Sequence, residues 1–121
     1  MGLRYSHEPI GHVLQIVGEG VVTLSDRVNF FAELMGDTSL PPKLAVVVNV
    51  HEITSTPSVE EVEAIARFMR LILDKFSGKL AIVNARIGHV TISQIVCLMA
   101  SDSDRVRVCM NDNEALTWIK S

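Results

Sequence analysis

Hydrophobic positions along the chain alternate between unbroken runs and helical spacing. Residues 44–50, LAVVVNV, form an almost continuous apolar run. The polar stretch HEITSTPS follows, and then VEEVEAIARFMRLILDKF places Val62, Ile65, Ala66, Met69, Ile72, Leu73 and Phe76 on one helical face. An apolar strand leading into an amphipathic helix predicts a parallel strand covered on both faces. Loop polarity then gathers at the strand's carboxyl end, where open α/β sheets place their sites. A second row on the same helix, Ala64, Phe68 and Leu71, is more apolar than a solvent face should be and marks a candidate interface.

The rest of the chain extends this alternation. Residues 4–8 and 12–18 read as two short strands around Pro9-Ile10-Gly11, an antiparallel hairpin. Thr23 and Asp26 stand at capping-box spacing before a helix with Leu24, Val28, Phe31, Ala32 and Met35 as its stripe and Gly36 as its stop. Ser58 and Glu61 form the corresponding box for the second helix, which Gly78 ends. KLAIVNAR is the next buried strand. A helix with Ile92, Ile95, Val96 and Met99 inward follows, then VRVCM with Val106, Val108 and Met110 alternating. A closing helix carries Ala115, Trp118 and Ile119. The expected fold is one α/β domain over residues 1–121, a mixed, mostly parallel sheet with an N-terminal antiparallel hairpin and about four helices.

Composition narrows the function classes. Apolar residues make up 48% of 121, and the mean hydropathy is +0.31. A domain this small leaves some of that surface exposed, which predicts a homodimer or an apolar partner. The net charge is −3 and no basic tract exceeds two residues, so no nucleic-acid face is legible. No run approaches the ~20 apolar residues of a membrane span, and no stable membrane insertion is expected. Met-Gly with Ser6 imitates a myristoylation signal only weakly, and a signal-peptide core is lacking, which predicts a cytoplasmic protein. Cys97 and Cys109 lie in apolar segments and read as buried free thiols.

The order of these pieces resembles the STAS family, the bacterial anti-sigma-factor antagonists and their relatives, in particular a small stand-alone STAS-like subgroup. The resemblance rests on VLQIVGEG, the VVVNV strand with its polar loop, KLAIV followed by a glycine and a helix, and the ending VRVCMNDNEALTWIKS. It covers nearly the whole chain. It implies a STAS-like fold and a non-enzymatic regulatory or protein-interaction module. In the antagonists a serine at the start of the second helix is phosphorylated, and Ser58 matches that position. Pro57, Val59 and Glu60 depart from the family's Asp-Ser-Ser-Gly-like loop, and Asn49 stands for the strand's usual Asp. The STAS-like fold is also similar to lipid-carrier folds, so an alternative is a carrier or sensor of a small apolar or lipid-like ligand.

Candidate chemistry is sparse. Ser58 is both a helix cap and a candidate phosphoacceptor. His51, Glu52, Arg86 and His89 fall near the carboxyl ends of neighbouring strands and make a candidate loop-edge site. No HExxH, CxxC, GxSxG, GxGxxG or GxxxxGK[ST] motif occurs. No metal, cofactor or catalytic activity is therefore expected.

Overall fold

Where the computed structural model describes the chain, residues 2–8, 12–84, 94 and 104–121, apolar runs become strands and amphipathic runs helices. Strands β1 (Gly2–Glu8), β2 (Val13–Gly20), β3 (Ala45–Ile53), β4 (Leu80–Val83) and β5 (Val106–Cys109) form one five-stranded sheet in sequential order. β1 pairs antiparallel with β2, and every later pair is parallel. The described helices are three, α1 (Leu24–Gly36), α2 (Val59–Lys75) and α3 (Asp112–Ile119), against an expectation of about four. Ile92, Ile95, Val96 and Met99, read as a further helix, lie outside the described residues.

The two-residue period of the strands divides the core. Leu14, Ile16, Val46, Val48, Leu80, Ile82 and Val106 face α1 and α2. Val13, Val47, Ala81, Val83 and Cys109 meet Ala115, Trp118 and Ile119 of α3 on the other side. The expected α2 face holds, since Ala66, Met69, Ile72, Leu73 and Phe76 are all buried. Trp118 is half-buried, with Lys79 Nζ 5.2 Å and Arg107 Cζ 5.7 Å from its ring centre.

Several boundaries depart from the sequence reading. β3 runs on through His51, Glu52 and Ile53, because Glu52 and Ile53 pair with Glu19 and Gly20 beyond a bulge in β3. Gly18 stands opposite that bulge, where an added Cβ would lie 2.6 Å from Ile53 Cδ1. The α1 stripe is rotated from the expected one. Leu24 and Val28 are exposed and Ala32 with them, while Arg27 and Leu34 are buried and Phe30 and Phe31 pack beside them. Gly36 is the last helical residue and not a left-handed stop. α2 ends at Lys75, before Gly78, whose role is close approach: a Cβ there would meet Leu44 O at 2.5 Å. β5 ends at Cys109, so Met110, expected inward with Val106 and Val108, lies beyond the strand and is exposed, while Val106 and Cys109 are buried.

Helix C-termini are closed by cations from other elements. Lys75 Nζ donates to the carbonyls of Leu34, Met35 and Asp37 at 2.8, 3.1 and 3.0 Å, satisfying the end of α1 from the end of α2. Arg105 Nη2 donates to Leu73, Phe76 and Gly78 carbonyls at the end of α2. Lys79 Nζ does the same at Trp118 and Ser121 for α3. Replacing Lys75 by Met leaves three carbonyls without their charged donor, and urea unfolding should show a loss of about 1.5–3 kcal/mol. A loss below ~0.5 kcal/mol would show that water serves the carbonyls equally well.

The edge strand is tied to α1 by Tyr5, whose hydroxyl donates to Asp37 Oδ2 at 2.7 Å and whose ring meets Phe30 edge-on. The hydrogen bond to Asp37 pushes the Tyr5 phenol up from 10.0 to about 12. Donors from Ser39, then Tyr5, hold Asp37 down from 3.8 to about 2. The signs follow by linkage. Tyr5 favours the fold below pH 10, and its contribution disappears as pH rises toward 12. Asp37 favours the fold above pH 3.8, and its contribution disappears as pH falls toward 2. Tyr5→Phe should therefore flatten the alkaline limb of stability against pH and only part of the acid limb, where Ser39 still acts. An unchanged alkaline limb would refute the assignment.

Candidate functional site

A cavity of about 110 Å³ lies between α1, α2 and the sheet, toward the carboxyl ends of β3 and β4. Val48 and Ile82 line it from the sheet, and Phe31 and Phe68 line it from α1 and α2 with rings stacked at 4.4 Å and 16°. Among its described lining residues only Arg27, Ser55 and Asn84 are polar. Ser55 is engaged with the backbone of Val22 at 3.1 and 3.4 Å. Asn84, 2% exposed, follows β4, and its backbone N–H donates to Cys109 O at 3.0 Å.

Arg27 is the unusual member. Only 8% of it is exposed, and its Nε stands 3.7 Å from Glu61 Oε2, an ion pair too long for a hydrogen bond. Nε is buried without an acceptor among the described residues. Burial pushes the guanidinium pKa down from its ordinary value, and the Glu61 carboxylate opposes this without cancelling it. Buried polar groups are almost always hydrogen-bonded, so a cation left this way needs a reason. The sequence reading missed Arg27 because a charge in the stripe Arg27, Phe30, Phe31, Leu34 disguised the inward face as polar. The available signal was Leu34, which the expected stripe left outside.

Ser58 caps α2, accepting from the Glu61 N–H at 3.2 Å, and is exposed. The reciprocal half of the capping box is present at α1, where Thr23 N–H donates to Asp26 Oδ2 at 2.9 Å. At α2 the Glu61 carboxylate instead lies beside Arg27 and accepts from the Ser58 hydroxyl at 3.4 Å.

The loop-edge residues do not join this cavity. His51 Nε2 and Glu52 Oε1 are 3.1 Å apart, both exposed, on the last turns of β3. Arg86 and His89 lie outside the described residues, as does Cys97; Cys109 is a buried free thiol. Among the described residues no group of three His, Cys, Asp or Glu could hold a metal ion, and no helix is long and apolar enough to cross a membrane. Of the interface row, Ala64 is half-buried and Leu71 is 43% exposed, whereas Phe68 is engaged by Phe31 and turned to the cavity. No family model matches the chain, and no curated protein matches it.

Capping makes a definite prediction for Ser58. Asp caps about as well as Ser, whereas Ala loses ~0.5–2 kcal/mol. Ser58→Ala should thus melt below the wild type and Ser58→Asp should not. The reverse order would show that Ser58 acts through something other than the helix end.

Proposed function

We propose that the chain is a non-enzymatic STAS-like module that binds a small apolar molecule in the cavity between α1, α2 and the sheet, as a carrier or sensor in the cytoplasm. The observation that carries this reading is the cavity itself: an apolar space of about 110 Å³ with few polar groups, placed where open α/β sheets take ligands. Its volume is of the order of the engineered ~150 Å³ cavity that admits benzene. Aromatic rings at its wall suit a compact, planar body.

A second reading, a regulatory surface recognised by another protein, is favoured by the exposure of Ser58 beside Val59, which is 77% exposed. The two readings are compatible, since Ser58 and Glu61 share the first turn of α2 and Glu61 reaches Arg27 at the cavity wall. Pairing into a homodimer through Leu71 and its neighbours belongs to this second reading.

Toluene tests the first reading. A ligand that binds only the folded chain raises stability by about 1.4 kcal/mol at ten times its Kd. Toluene should raise the Tm of the wild type in proportion, while Ile65→Phe, which fills the space from α2, should melt higher alone and lose the response. No response of the wild type to toluene at saturation would overturn the reading.

A further inference from the structure

Arg27 supplies more than an apolar cavity needs. A guanidinium carries five donors in a planar fork, and here it is nine-tenths buried at a cavity wall with one carboxylate 3.7 Å away and Nε without an acceptor among the described residues. An interior arginine that served stability alone would be hydrogen-bonded to its carboxylate in the bidentate manner that makes such pairs strong. Glu61 does not do this. Its side chain is 21% exposed and its carboxylate also accepts from the Ser58 hydroxyl, so it stands between the guanidinium and the helix cap and completes neither.

We infer that the cavity takes a small carboxylic acid with a compact, flat apolar body, its carboxylate held by the Arg27 guanidinium in place of Glu61. The inference rests on the ligand reading above and adds the chemical class. The two oxygens of a carboxylate match the guanidinium fork, as a single hydroxyl or carbonyl does not. Phe31 and Phe68, stacked at 4.4 Å, present ring surface to the body of such a molecule. Displaced from Arg27, Glu61 is the N3 residue of α2, at the position from which a carboxylate reaches the N-cap N–H. Occupancy of the cavity is thereby coupled to the helix end at Ser58.

Benzoate and toluene, nearly equal in shape and different in charge, separate the parts of this proposal when titrated by NMR into wild type, Arg27→Met, Arg27→Lys and Glu61→Gln. Benzoate should bind the wild type at least tenfold more tightly than toluene. Arg27→Met should lose that preference while still binding toluene, and Arg27→Lys, which keeps the charge without the fork, should fall between. Glu61→Gln should bind benzoate several-fold more tightly, because the competing carboxylate is gone. Toluene binding as well as benzoate to the wild type, or a benzoate preference surviving in Arg27→Met and Arg27→Lys alike, overturns the anion site and leaves the apolar-ligand reading standing. An unchanged benzoate affinity in Glu61→Gln overturns the displacement. Failure of the wild type to bind toluene overturns the ligand reading itself.

Discussion

The arrangement of this molecule depends on cations that close the carboxyl ends of its helices from outside those helices. Lys75, Arg105 and Lys79 each reach carbonyls at the end of α1, α2 and α3 respectively. Helix ends leave carbonyls without partners, and the helix dipole makes them favourable places for positive charge. Arg105 and Lys79 come from the segments just before β5 and β4, and Gly78 brings the end of α2 against Leu44 ahead of β3. All three ends are thus fixed near the amino ends of the parallel strands. The helix amino ends are left at the opposite edge, toward which the cavity between α1, α2 and the sheet lies.

What could be read from sequence was what periodicity encodes. The β3 run, the α2 face and the two caps at Thr23 and Ser58 follow from local patterns, and the structure reproduces each. Failures occurred where a tertiary partner overrode the local signal. Polar Glu52 belongs to β3 because β2 offers it and Ile53 a ladder, with His51 carried in the bulge before them. Gly36 and Gly78 read as helix stops, yet one is helical and the other serves a backbone approach. The site was the least legible part, since Arg27 breaks the rule that a core-facing stripe is apolar. The one local trace of it was Leu34, left outside the expected stripe on the face that α2 buries.

Glu61 connects stability to the site. As the third residue of α2 it stands in position to complete the cap begun by Ser58, and as the nearest anion it offsets the buried charge of Arg27. One carboxylate cannot do both at full strength, and its geometry here is intermediate. An α2 amino end that is half-capped is a part of the fold with little stability in reserve. Such parts respond first when a neighbouring charge is added or removed.

The sequential order of the strands bears on how the chain comes together. Each strand pairs with the strand next to it in sequence, from the hairpin of β1 and β2 through to β5. No described strand has to wait for a later one to be inserted between it and its partner. Loop closure is therefore confined to one crossover at a time, which keeps the entropic barrier to each pairing low. Such a sheet can grow from its amino end as the polypeptide leaves the ribosome, each new crossover finding a finished edge on which to dock.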